Sequence, residues 1–226
     1  MRIENIKKTY GEKIVLDVEK FDFEKGKIYA IVGANGSGKS TLLRIMAKTL
    51  KADRGSKAVV DFEKSTHCYM PQKNYAFKMS TEKNVMLSVK RTAENKARAE
   101  DLMRELKIDH LAKSQAHKLS GGETARMALC RTILSGAEVL LFDEPTAAMD
   151  IESTLLAEDI IRRYNKENNA TIIMVTHSIN QARRLSDNVI FMKDGKIVES
   201  GTMNAVLDNP KCDETKEFLE FFSSEI

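Results

Sequence analysis

The chain is 226 residues long, with 42% hydrophobic and 31% charged residues, 11 Gly and 3 Pro. This much apolar content excludes a disordered chain, and so little Gly and Pro excludes a collagen-like or linker sequence. Lys and Arg (36) nearly balance Asp and Glu (33), and a net charge of +3 gives no reason to expect nucleic acid as a partner.

The opening residues MRIENIKKTYGEK lack an apolar core, so no secretory signal is expected. Residues 2–7 and 13–18 read as short strands around a turn at Tyr10-Gly11. Residues 27–32 (KIYAIV) read as a buried strand ending in Gly33. Leu42, Leu43, Ile45, Met46 and Leu50 recur at helical spacing, which predicts a helix over 40–50. Strands are predicted again over 58–62 and 67–70. From about residue 73 to 117 the chain turns charged and strand-poor, and Leu102, Met103 and Leu106 form a stripe on a helix starting near Thr92. A stripe of this kind needs burial, so the stretch is expected to be a helical subdomain and not a linker.

A helix (122–135), a strand (139–142), a helix (151–165) and a strand (171–175) follow. Lys193-Asp194-Gly195 between apolar runs at 189–192 and 196–199 predicts a hairpin. The tail from about 204 predicts a helix ending in Phe218, Leu219, Phe221 and Phe222. No stretch approaches the roughly 18 apolar residues of a membrane span. Cys68, Cys130 and Cys212 lie far apart without a C-x-x-C pair, which fits free thiols in a reducing, cytoplasmic compartment. Strands alternating with helices predict an α/β fold, with a mostly parallel sheet and active loops at its carboxyl ends. One domain is expected over 1–226: a core from about 1–72 and 136–201, a helical part over 73–135 and a helical tail over 202–226.

Gly33-Ala34-Asn35-Gly36-Ser37-Gly38-Lys39-Ser40 has the spacing of a phosphate-binding P-loop, with a predicted strand before it and a helix after it. Glycines let successive backbone N–H groups curl toward phosphate oxygens, and the helix adds its positive end. Lys39 supplies a cation for the β- and γ-phosphates, and the Ser40 hydroxyl is a candidate Mg²⁺ ligand. A nucleoside triphosphate with Mg²⁺ is thus expected, and the loop by itself leaves kinases, GTPases and motor ATPases open.

Val139-Leu140-Leu141-Phe142-Asp143-Glu144 reads as an apolar strand ending in two acids. Asp143 is placed to hold the magnesium. Alternation along the strand keeps Glu144 from duplicating it, so Glu144 is the candidate base for the attacking water, which points to hydrolysis. His177, after the strand TIIMV, is a candidate polar sensor of the γ-phosphate, although taken alone it reads as structural. Leu119-Ser120-Gly121-Gly122-Glu123 opens a helix with bare N–H groups and a hydroxyl, either a second anion site or an ordinary cap.

These residues, in this order, resemble the ATPase subunit of ABC transporters over about residues 1–201. The P-loop over 33–41, ending in Thr41, is followed by Gln72, LSGGE at 119–123, Asp143-Glu144, Asp150 and His177. The resemblance implies a P-loop cassette with a small antiparallel β part and a helical insertion. It also implies that Tyr10 stacks on adenine with Val15 nearby, and that Gln72 links magnesium and attacking water to a membrane partner. Asp150 resembles a loop crossing a subunit interface.

By the same resemblance, Ser120, Gly121, Gly122 and Glu123 complete the site of a second copy, so that two chains sandwich two ATP molecules head to tail. Separate transmembrane permease subunits, and a solute-binding protein indirectly, are the implied further partners, with the chain peripheral on the inner face of the membrane. Importers are the nearest class, and 146–154 is similar to oxyanion carriers of the tungstate type. Exporter and lipoprotein-release ATPases are the alternatives, with a soluble non-transport ATPase behind them. The loop 73–79, with Tyr75, Phe77 and Met79, departs from the family pattern, and either docks a membrane subunit or packs locally. Residues 52–55 (ADRG) depart from the family turn as well.

Overall fold

Two sheets carry the predicted strands in the computed structural model, which describes residues 1–53, 59–62 and 65–223, and the side chains up to residue 221. Ala58, Arg54, Gly55 and the Phe222 side chain, named above, fall outside the described residues. Strands β1 (Arg2–Tyr10) and β2 (Lys13–Asp22) form a hairpin, longer than predicted, that closes with Tyr10 opposite Lys13. In β1, Ile3 and Ile6 are both fully buried, although three residues apart on a strand put them on opposite faces. Asn5, at φ 53°, breaks the alternation between them and resets it. Strand β4 (Val59–Asp61) pairs antiparallel with β1, giving the order β2-β1-β4.

The second sheet runs β5-β6-β7-β3-β8-β9, from β5 (His67–Met70), β6 (Val139–Asp143), β7 (Thr171–Val175) and β3 (Ile28–Val32) to β8 (Asn188–Lys193) and β9 (Lys196–Thr202). All its pairings are parallel except β8 with β9. Every residue of β3, β6 and β7 is buried, which is why these strands read as unbroken apolar runs. Helix α1 (Lys39–Met46) and the antiparallel sheet cover one face through Leu42, Leu43, Met46, Ile6 and Leu16. The other face packs on Met127, Leu129, Ile160 and Ile161, from α4 (Gly121–Leu134) and α5 (Ile151–Asn168). Helices α2 (Thr81–Val85) and α3 (Ala93–Glu105) pack on α4. Thr92 caps α3, and Met103 and Leu106 are buried as their stripe requires.

Three elements differ from expectation. Helix α1 ends at Met46, because Lys48 takes φ 58° and turns the chain before Leu50. A seven-residue helix, α6 (Ile179–Leu185), was not anticipated; Ser178 caps it. The tail is two helices, α7 (Met203–Leu207) and α8 (Asp213–Ser223), with Pro210 between them. The predicted hairpin is a two-residue turn, Asp194-Gly195, with both φ positive, as a type I′ turn requires. Among the described residues no helix is long and apolar enough to cross a membrane.

Candidate active site

At the carboxyl end of β3 the chain curls through 33–38 into α1. Gly33, at φ 146°, is a position only glycine fits: a Cβ there would lie 2.1 Å from the Met192 carbonyl oxygen. Gly38 caps α1 at φ 99° with no side-chain hydrogen bond, so the first N–H groups of the helix carry no side-chain cap. Lys39 is 5% exposed, and its ammonium donates to the carbonyls of Gly33 (2.8 Å) and Ala34 (2.9 Å). Burial pulls the Lys39 pKa down, while Glu144 and Asp143 oppose that shift.

Above this loop opens a cavity of about 530 Å³ lined by Tyr10, Lys13, Val15, Asn35, Gly36, Gly38, Lys39, Ser40, Thr41, Gln72, Glu144 and His177. Tyr10 is 52% exposed, leaving a ring face for a ligand, and the Lys8 ammonium lies 5.5 Å from its centroid. Ser40 Oγ donates to Asp143 Oδ1 at 2.8 Å, and the Tyr69 hydroxyl reaches Oδ2 at 3.3 Å. Burial pushes the Asp143 carboxyl above its ordinary value, against the two hydroxyl donors. A hydroxyl and a carboxylate side by side are hard oxygen donors of the kind Mg²⁺ takes when it also binds substrate phosphates. The donor set fits that metal.

Glu144 stands one residue past β6 with φ 53°, and its N–H donates to the Val175 carbonyl at 3.0 Å. This corrects the expectation from strand alternation: a left-handed turn, and not the pleat, separates the Glu144 carboxylate from that of Asp143. Glu144 Oε1 lies 3.0 Å from His177 Nε2.

The remaining predicted residues lie outside this lining. Ala34 and Ser37 face a second cavity of about 530 Å³ on the far side of the loop. Ser120 and Gly121 are exposed at the start of α4, and Gly122 and Glu123 are half-buried there. Ser120 Oγ accepts from the Glu123 N–H, and Glu123 accepts from the Ser120 N–H at 2.7 Å, a reciprocal cap that holds the Glu123 carboxyl below its usual pKa. A Cβ on Gly122 would sit 3.0 Å from the Ala148 carbonyl, so this helix tip rests on the segment leading to Asp150. Asp150 caps α5 by accepting from the Ser153 N–H, and Arg126 of α4 donates to Ser153 Oγ. Lys13 and Tyr69 were missed by sequence reasoning. Lys13 carries no motif, and Tyr69 is signalled only by its place beside Leu141 on the neighbouring strand.

The backbone of 73–79 is tied down: Asn84 pairs with the Phe77 N–H and carbonyl, and Arg131 donates to the Tyr75 carbonyl. The Tyr75 and Phe77 side chains stay more than half exposed.

A glycine loop between a parallel strand and a helix, with a lysine, a hydroxyl–carboxylate pair and an adjacent acid, defines a P-loop nucleoside triphosphatase. The family model described as ABC transporter matches residues 16–147. The tungstate uptake system ATP-binding protein TupC of Peptoclostridium acidaminophilum is 40% identical over 209 residues, 88% of this chain and 96% of its own. The molybdate/tungstate import ATP-binding protein WtpC of Pyrococcus horikoshii is 34% identical, covering 98% of this chain and 67% of its own. The probable amino-acid import ATP-binding protein YxeO of Bacillus subtilis is 32% identical, covering 96% and 95%. The dimeric bacterial ABC transporter cassette MJ0796 shares the fold, with a TM-score of 0.78, 24% identity and coverage of 89% of this chain and 98% of that one. The chain belongs to the ABC transporter family, as an ATP-binding and ATP-hydrolysing cassette.

Proposed function

We propose that this chain is the energy-coupling ATPase of an importer, acting as a head-to-tail pair of copies beneath separate permease subunits on the inner face of a membrane. The carrying observation is that the cavity and the Ser120–Gly121–Gly122 helix tip both face outward, yet the tip does not line the cavity of its own chain. A second copy turned by a two-fold axis supplies the missing wall. In this reading Tyr10 and Val15 hold the base, and the Lys39 ammonium leaves the two loop carbonyls for the β- and γ-phosphates. Ser40 and Asp143 hold Mg²⁺, with Gln72 at the cavity edge. The metal, when bound, draws negative charge off the γ-phosphoryl group. Glu144 takes the proton of the attacking water, and His177 orients that carboxylate. The partner's Ser120 hydroxyl and the N–H groups of its helix tip meet the γ-phosphate, so hydrolysis loosens the pair.

Light scattering on Glu144→Gln tests this reading: ATP should double the particle mass, and adding Ser120→Arg should keep it single while leaving nucleotide binding intact. A Ser120→Arg double variant that still pairs with ATP sinks the shared-site arrangement.

For cargo, the favoured class is a tungstate-type oxyanion, supported by the 40% identity to TupC and the likeness to WtpC. Amino-acid import is the second reading, favoured by the 32% likeness to YxeO. Tungstate should stimulate ATP hydrolysis by the transporter reconstituted with its permease and solute-binding protein; stimulation by an amino acid, and none by tungstate, reverses the choice. The exposed Tyr75 and Phe77 rings suit a permease helix at the same face.

A further inference from the structure

Behind Glu144, away from the P-loop, lies a cavity of about 290 Å³ lined by the loops after β6 and β7 and by α6. Its floor is one amide. Gln181 is 3% exposed, on the short helix α6. Its Oε1 accepts from Thr176 Oγ1 at 2.7 Å, and its Nε2 donates to Thr146 Oγ1 at 2.9 Å and to Glu158 Oε1 at 3.1 Å. Glu158, itself 3% exposed, is gripped from the other side by Arg184 through two hydrogen bonds of 2.8 and 2.7 Å.

Thr146 follows Glu144 by two residues, and Thr176 precedes His177 directly. One amide therefore spans the two loops that bring the Glu144 carboxylate and the His177 ring together. The β6–β7 register sets the strand ends level, with Asp143 opposite Val175, but says nothing about the loops beyond them. Glu144 is held in a left-handed conformation that the surroundings must enforce. An amide is the group this position needs: it offers an acceptor to one threonine and separate donors to the other threonine and the carboxylate. A carboxylate in its place would have no proton to give Thr146 and would face Glu158.

We infer that Gln181 is a positioning residue for hydrolysis, acting through Thr146 and Thr176 on the Glu144–His177 pair. The inference rests on the proposed roles of those two residues and extends them to a group that does not line the P-loop cavity.

Steady-state ATPase assays on the full chain test it, with nucleotide-binding stoichiometry and melting temperature measured on the same samples. Gln181→Met keeps the volume and removes all three hydrogen bonds. Thr146→Val and Thr176→Val are near-isosteric and cut one arm of the amide each, the second also removing the acceptor of the Ser178 N–H, and they keep the test open if Gln181→Met fails to fold. Gln181→Met should lower kcat about tenfold or more with KM for ATP and binding stoichiometry unchanged, as a small misplacement of reacting groups does. Each threonine variant should lose less, and Thr146→Val should add nothing further on top of Gln181→Met. A kcat within about twofold of the parent in all three variants overturns the inference. So does a kcat loss that merely follows the fraction of chains able to bind nucleotide, since that marks a purely structural amide. Full ATPase activity in Glu144→Gln and His177→Ala overturns the roles of the pair itself, a separate outcome from silent Gln181 and threonine variants beside inactive Glu144→Gln.

Discussion

Glu144 and His177 are 33 residues apart in sequence, yet Glu144 Oε1 and His177 Nε2 lie 3.0 Å apart, both lining the cavity above the P-loop. Parallel pairing of β6 with β7 brings their strand ends level, and the positive φ of Glu144 turns its side chain toward the ring. The pair gives Glu144 a fixed aim apart from the Ser40–Asp143 pair. Glu144→Gln preserves shape and the hydrogen bond but removes the proposed base. Phosphate release should fall about 10²–10⁴-fold while fluorescent ATP still binds. Turnover near the parent rate would exclude Glu144 as the base.

Lys39 is buried and held by two carbonyls, so its charge is a group the nucleotide can recruit without first taking it out of bulk water. Ligand at about 100 times its Kd adds about 2.7 kcal/mol of stability, which is about 5–10 °C in Tm for a chain of this size. ATP should raise the melting temperature of the parent by that order and leave Lys39→Met unmoved. An equal ATP-induced shift in both proteins would show that the lysine does not contact phosphate.

Two loop glycines separate packing from backbone strain. A Cβ at Gly33 would lie 2.1 Å from the backbone carbonyl oxygen of Met192, on β8 where it pairs with β9, whereas a Cβ at Gly36 meets nothing within 4 Å. Gly33→Ala should cost about 3 kcal/mol or more, and Gly36→Ala only about 1 kcal/mol for its positive φ. Urea unfolding of the two variants measures the difference. Equal midpoints would mean the loop relaxes around the Gly33 methyl.

His67 stacks on Phe62 with ring centroids 4.6 Å apart, and burial, helped by Lys48, holds its imidazole below the ordinary pKa. The unfolded chain therefore takes up this proton first as pH falls. The stability contribution is present above about pH 6.5, declines between there and the lower folded value, and is gone below both. His67→Phe keeps a stacked ring without the titration, so its loss of Tm between about pH 7.5 and 5 should be smaller than the parent's. Parallel pH profiles for the two proteins would assign the acid loss to other groups.

The motifs were legible because their physics is local. A strand, a curl of glycines and a helix N-terminus need only neighbouring residues, and a buried strand such as β7 announces itself as an unbroken apolar run. Helix α6 escaped notice because seven residues hold barely two turns and only Ser178 marks the start. The early end of α1 escaped because Lys48 carries the left-handed turn that glycine usually takes. Lys13, Tyr69 and Gln181 have no spacing signal at all. Their partners come from other strands and loops, at separations such as the 74 residues between Tyr69 and Asp143.

The order of residues alone thus settled which groups are available: a phosphate loop, a lysine, a hydroxyl, two acids, a histidine and a serine-led helix. Only the tertiary structure decided how they divide. Sheet register and one left-handed residue put Glu144 with His177 and leave Asp143 with Ser40, because contact across a parallel sheet depends on strand order and loop conformation, which no local pattern encodes. The same packing turns the helix tip at Ser120 away from its own cavity, since Gly122 lies against the Ala148 backbone in the segment before α5.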